Sequence, residues 1–88
     1  MIIRYFGAAK AATGVEEQAL PLPDGGTLAQ VLELLAREHP VPAAAGAPAL
    51  PAVLARSSFL RNETALKDHA AVLEDRDVID ILPPFAGG

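Results

Sequence analysis

The residues of this 88-residue chain whose types and spacing could do chemistry stand together at its end, Leu82-Pro83-Pro84-Phe85-Ala86-Gly87-Gly88. Gly87 and Gly88 carry no Cβ, so a tail that finishes in them can thread a narrow channel and present a terminal carboxylate without steric shielding. A carboxylate is a poor acyl donor until it is activated, for example as an acyl-adenylate. A sulfur nucleophile can then displace AMP and leave a thiocarboxylate on Gly88. That sulfur would be soft, anionic and nucleophilic, much as a thiolate is compared with a thiol. The chain would then be a carrier, with catalysis supplied by its partners.

Other chemistry is thinly represented. Cys is absent, which excludes disulfides and thiol catalysis. His39 and His69 have no second His at ligand spacing, so metal binding is not expected and both are read as surface residues. Asp68, Glu74, Asp75, Asp77 and Asp80 are scattered over expected turns and a strand, which suits a solvated acidic face better than an acid-base pair. There is no Walker-type phosphate loop, nucleophile elbow or triad pattern.

The tail needs a body to project from. Residues 2–6 are β-branched and aromatic and read as a first strand. A small-residue turn ends at Thr13-Gly14, and residues 16–22 supply a second strand that stops at Pro23-Asp24-Gly25-Gly26, together a hairpin. Thr27 stands where an N-cap belongs, with Gln30 three residues on to complete a capping box. Leu28, Val31, Leu32 and Leu35 then follow the i, i+3, i+4, i+7 spacing of a core-facing helix, which Pro40 should end at His39. Residues 41–51 hold Pro42, Pro48 and Pro51 and read as a surface loop, with a helical turn possible over 52–56. Residues 59–61, 72–73 and 78–82 are the later extended segments, separated by turns at 62–63 and 74–77. Hairpin, helix, then strands predicts an α+β domain over residues 1–82 with one main helix across a mixed sheet, for which a β-grasp is the simplest packing. Pro83 and Pro84 fix φ and lack amide donors, so pairing should stop there and residues 83–88 should leave as an extended tail of about 20 Å reach.

Composition bounds the rest. Aromatics make up 5% of the chain and hydrophobic residues 51%, which predicts a single aliphatic core. The formal charge of −4 opposes nucleic acid and anionic membranes and favours a basic protein partner. The N-terminus has no signal-peptide pattern, which leads to a cytoplasmic expectation.

The chain resembles the MoaD/ThiS family of sulfur carriers, most closely its molybdopterin-synthase small-subunit branch. The landmarks are Ile3-Arg4-Tyr5-Phe6-Gly7-Ala8-Ala9-Lys10, then Leu20-Pro21-Leu22-Pro23-Asp24-Gly25-Gly26-Thr27-Leu28, Asn62-Glu63-Thr64, and Leu73-Glu74-Asp75-Arg76-Asp77-Val78 running into the Pro-Pro-Phe-Ala-Gly-Gly end. The resemblance implies a ubiquitin-like β-grasp and a cycle in three steps. A ubiquitin-activating-like adenylyltransferase adenylates Gly88 with ATP, a sulfurtransferase supplies sulfur, and the resulting 1-thioglycine enters the large subunit of molybdopterin synthase. There sulfur would pass to cyclic pyranopterin monophosphate to build the dithiolene, in a complex of two carriers with a dimer of large subunits. No cofactor bound by the chain itself is implied. By the same likeness Phe6, Leu82, Pro83, Pro84, Phe85 and Ala86 would lie at or near the partner contact, with Lys10 as an isolated basic interface position.

Two departures stand out. Glu63 and Arg76 occupy turn positions where the family often has glycine, which requires other turn geometry or a left-handed non-glycine residue. Residues 41–51 are unusually rich in Ala and Pro. Carriers for thiamine thiazole or cysteine synthesis use the same Gly-Gly chemistry, and a ubiquitin-like protein modifier shares the activation step. Pro83-Pro84 favours the molybdopterin branch.

Overall fold

Ile2–Tyr5 forms β1 because its alternate residues can share one face: Ile3 and Tyr5 are buried while Ile2 and Arg4 are not. The computed structural model describes residues 1–84. β2 (Glu17–Ala19) pairs antiparallel with β1, Ile3 opposite Gln18, so the predicted pairing of the first two strands is present.

Their connection is not the expected turn. Gly7–Thr13 is a helix, α1, whose four alanines have high helix propensity and whose Ala9 and Ala12 bury one side against the core. Such a stripe of small side chains gives a weak hydrophobic signal in sequence. Gly14 ends the helix at φ 79°, its amide donating to the Lys10 carbonyl at 2.7 Å.

The main helix α2 (Leu28–Glu38) starts and stops where the sequence predicts. The Thr27 hydroxyl accepts from the Gln30 amide at 3.2 Å and the Gln30 side chain accepts from the Thr27 amide at 3.1 Å. His39 follows at the C-cap, immediately before Pro40. Leu28, Val31 and Leu35 are fully buried, whereas Leu32 is only partly so. Helical rotation places it on the flank of the arc, over a shallow cleft toward Leu54 of the next helix. That helix, α3 (Leu50–Arg56), begins two residues before the expected turn, because Pro51 falls in its first turn, where a missing amide costs no hydrogen bond.

β3 (Ser58–Arg61), β4 (Thr64–Ala65) and β5 (Val78–Leu82) complete a five-stranded sheet in the order β2-β1-β5-β3-β4. β1 and β5 run parallel at its centre, and the other pairs are antiparallel. Ile3, Tyr5, Phe59, Ile79 and Ile81 of the sheet join Leu28, Val31, Leu35, Leu50 and Leu54 of the helices in one core. This is the ubiquitin-like β-grasp.

The two departures from the family's turns resolve differently. Asn62 and Glu63 both take positive φ, 49° and 71°, as the two-residue turn between β3 and β4 demands. Arg76 is not left-handed; its turn closes through the Asp77 amide on the Glu74 carbonyl at 3.0 Å.

Asp77 and Asp80 correct the reading of a solvated acidic face, since they are 2% and 5% exposed. Asp77 accepts from the Glu74 amide at 2.8 Å, from Asn62 Nδ2 at 2.9 Å and from Arg61 at 2.8 Å. Burial alone would raise its carboxyl pKa, but those three donors together hold it below the ordinary value of 3.8. His39 also departs from expectation: it is half-buried, edge-on to Tyr5, with its Nε2 3.0 Å from Gln18 Oε1.

Two outcomes follow from this packing. Leu35→Ala should cost about 2 to 5 kcal/mol in urea unfolding, and Leu32→Ala distinctly less, because only the first empties a fully enclosed site. The depressed Asp77 carboxyl contributes stability that is complete above the unfolded carboxyl's range and is lost as pH falls through its folded value. Asp77→Asn should therefore be less stable at neutral pH and should lose less further stability between pH values of about 5 and 2, as urea midpoints across that range would show.

Candidate functional site

β5 delivers the tail. Its last paired residue, Leu82, stands opposite Ser58, and Pro83 and Pro84 follow outside the ladder, as their missing amides require. Pro83 is half-buried and Pro84 exposed. Phe85, Ala86, Gly87 and Gly88, all four expected to contact partners or carry the chemistry, lie outside the described residues.

Around this exit the sheet's outer face is built by alternation. Ile2 and Arg4 of β1, Leu60 of β3, and Val78, Asp80 and Leu82 of β5 share it, and Phe6 follows directly after Tyr5, which pairs with Ile81. Phe6 therefore reaches the level of Leu82, and it is 43% exposed. Two residues expected at the partner contact, far apart in sequence, are thus neighbours beside the tail. At the centre of the face Arg4 donates from Nε to one Asp80 oxygen at 2.5 Å and from its Nη2 to the other at 2.8 Å. This fork-shaped pair is the strong form of a charge-assisted bond. The Asp80 bond, then its charge, raises the guanidinium pKa above its ordinary value. Neutralising Asp80 in this way lets a nearly buried carboxylate stand among Ile2, Leu60, Val78 and Leu82 on this face.

Lys10 lies across an open depression of about 360 Å³ that Arg4, Phe6, Gly7, Glu16 and Glu17 also line. It is not the isolated cation expected, because its Nζ lies 2.9 Å from Glu16 Oε1. The hydrogen bond from Lys10, followed by its charge, lowers the Glu16 pKa. On the opposite flank of the tail base, Pro83 and Pro84 join Ala8, Pro48, Ala52, Val53 and Arg56 in a small groove of about 130 Å³.

The described surface has the parts of a docking platform. Among the described residues no three His, Asp or Glu side chains gather to hold a metal. No nucleophile meets a base there, and the buried carboxylates are already satisfied by Arg4, Arg61 and Asn62. Sequence reasoning missed that Leu60, Ile2 and Val78 share this outer face, and missed the Arg4–Asp80 pair. The period-two alternation of residues 2–6 and 78–82 held a signal for Ile2, Val78 and the pair, since each segment puts one charge midway between two outward apolar residues.

The ThiS family matches residues 3–88. The molybdopterin synthase sulfur carrier subunit of Chlamydomonas reinhardtii is 29% identical over 87 residues, covering 98% of this chain and 95% of that protein. Among solved structures, a complex of subunits 1 and 2 of the molybdopterin-converting factor from Helicobacter pylori aligns with a TM-score of 0.62 and 25% identity, over 99% of this chain and 96% of the other. A Haloferax volcanii protein solved in solution aligns with a TM-score of 0.75 at 24% identity, over 99% and 84% of the two chains, and shows the fold alone. With a match that begins in β1 and runs through Gly88, the chain belongs to the ThiS family.

Proposed function

We propose that this protein is the sulfur-carrier small subunit of a molybdopterin synthase. The observation that carries the reading is the match to a relative of that name over 98% of this chain, together with a family match that runs through residue 88. The platform beside the exit supports it, because a tail can deliver a reactive end only if the body is held at a set distance from the acceptor.

In this reading the Gly88 carboxylate attacks the α-phosphate of ATP on an adenylyltransferase, and pyrophosphate leaves. A sulfur nucleophile delivered by a sulfurtransferase then forms the C–S bond as AMP leaves with its oxygen. The Gly88 thiocarboxylate next enters the large synthase subunit, where its sulfur attacks a carbon of cyclic pyranopterin monophosphate and displaces an oxygen substituent. Water then cleaves the acyl–sulfur bond, which returns the Gly88 carboxylate and leaves one sulfur of the dithiolene on the pterin, and a second thiocarboxylate supplies the other. Phe6, Leu82 and Phe85 provide apolar contact with the large subunit, Pro83-Pro84 stiffen the departure, and Ala86 and Gly87 keep the tail slim. Lys10 contributes to orientation as half of an exposed ion pair. The chain brings the reacting group and its placement, and the partners bring catalysis.

Deleting Gly88 moves the carboxylate back by about 3.3 to 3.6 Å, and adding a residue displaces it as far the other way. Misplacement of reacting atoms by about 1 Å already costs on the order of a hundredfold in rate. Both variants should fold normally and fail to exchange one oxygen for sulfur, read by intact-protein mass spectrometry after incubation with activating enzyme, ATP and a sulfur donor. An untrimmed extended protein that supported molybdopterin formation as well as wild type would overturn the mechanism. Capture of a thiazole or cysteine synthase by the native protein, in place of a large synthase subunit, would redirect it to another acceptor.

Phe85→Ala and Phe6→Ala should each leave the fold intact and weaken binding of the large subunit by about 1 to 3 kcal/mol in calorimetry. Wild-type affinity for Phe6→Ala would remove the outer sheet face from the interface.

A further inference from the structure

The groove on the helix side of the tail base is not used by the sheet-face contacts. Its walls are Ala8 from α1, Pro48, Ala52 and Val53 with Arg56 from α3, and the two exit prolines. About 130 Å³ is room for one apolar side chain and well below the few hundred Å³ of a small-molecule site. The feature suits a protein partner better than a metabolite.

Charge narrows the choice of partner. Three cations flank the tail base. Arg4 is neutralised by Asp80 at 2.8 Å and Lys10 by Glu16 at 2.9 Å, whereas Arg56 has no carboxylate within 4.0 Å among the described residues. It is exposed, yet its backbone is held firmly. Arg56 closes α3 directly after the buried Val53 and Leu54, and the next residue, Ser57, donates its hydroxyl to the Val53 carbonyl at 2.7 Å. In a chain of net charge −4, a rigidly based, unneutralised guanidinium beside an apolar groove is a local inversion of the molecule's charge.

Because Pro83 and Pro84 themselves form one wall, a protein that surrounds the tail at Pro84 must meet the helix side as well as Phe6 and Leu82. We infer that Arg56 and this groove form a second docking point, which receives from the large subunit a carboxylate side chain beside an apolar one at the mouth of the channel that takes the tail. The inference rests on the tail-entry reading above. The sheet face supplies apolar area on one side of the tail. Arg56 supplies a charge contact on the other and so fixes rotation of the domain about the tail axis. A charge at the rim of an interface acts on orientation and association rate, with a strong dependence on salt.

The test is calorimetric titration of the purified large subunit with full-length wild type, Arg56→Gln, Arg56→Glu, Ala52→Arg and Phe6→Ala, at low and high salt. Thermal melts of each variant provide the folding control. Arg56→Gln should weaken binding about threefold to fivefold at low salt, the range of an exposed ion pair. Arg56→Glu should weaken it roughly tenfold or more by opposing like charges, and both losses should shrink at high salt. Ala52→Arg should weaken binding at both salts by blocking the exposed side of the groove. If Phe6→Ala weakens binding while both Arg56 variants keep wild-type affinity and salt dependence, the second docking point is wrong and the tail-entry reading stands. If Arg56→Gln binds more tightly, the groove holds the chain's own Phe85 in competition with the partner, and the inference is likewise overturned. Failure of wild type to bind any large subunit would sink both.

Discussion

The parallel pairing of β1 with β5 is the interaction on which the rest depends. It joins the first strand to the last across nearly the whole sequence, with Ile3 beside Ile79 and Tyr5 beside Ile81. Parallel neighbours cannot be joined by a tight turn, so the helices and remaining strands all lie in the connection between them. Those central side chains are among the most buried in the molecule. The same register sets Arg4 against Asp80 on the outer face and brings Phe6 level with Leu82. A shift of one residue in either strand would turn isoleucines outward and separate the fork-shaped pair, so core and platform are specified by a single register.

A second constraint lies at the start of β5. Asp77 ties together the turn before the strand, the β3–β4 turn through Asn62, and Arg61 at the end of β3. Asn62 answers by accepting from the Val78 amide at 2.9 Å. This network aligns β5 at its beginning, and with the strand only five residues long that alignment carries through to Pro83. The positive φ of Glu63, with no compensating side-chain hydrogen bond among the described residues of the kind Asn62 makes, is a local strain that this network sustains.

Local rules made much of this legible in the sequence. The capping box at Thr27, the stop before Pro40 and the end of β5 at Pro83 each depend on one or two adjacent residues, and each is present in the structure. What was hidden depends on distant partners or on weak signals. α1 is built from alanines, too small to register as an apolar stripe, and Pro51 reads as loop unless its place in a first turn is known. Leu32 satisfies helical spacing, yet its burial depends on where α3 crosses. Asp77 and Asp80 look like surface charges until Arg61 and Arg4 are brought to them by the sheet. Phe6 and Leu82 are expected at a partner contact through family resemblance, and the β1–β5 register is what brings them level with each other.

This arrangement separates two demands that would conflict in one site. A chain end that is to enter a narrow channel must be slim and free of its own domain's side chains. A body that is to dock on another protein must instead be rigid and distinctive. The β-grasp meets the second demand by burying its aliphatic residues and fixing a neutralised ion pair at the centre of the outer sheet face. Pro83 and Pro84 mark the end of the ladder: without amide donors they cannot extend it, so the sheet's pairing ends at Leu82. The charge pattern follows the same division. Cations beside the sheet-face exit are held by the chain's own carboxylates, while Arg56 on the other flank has no carboxylate within 4.0 Å among the described residues.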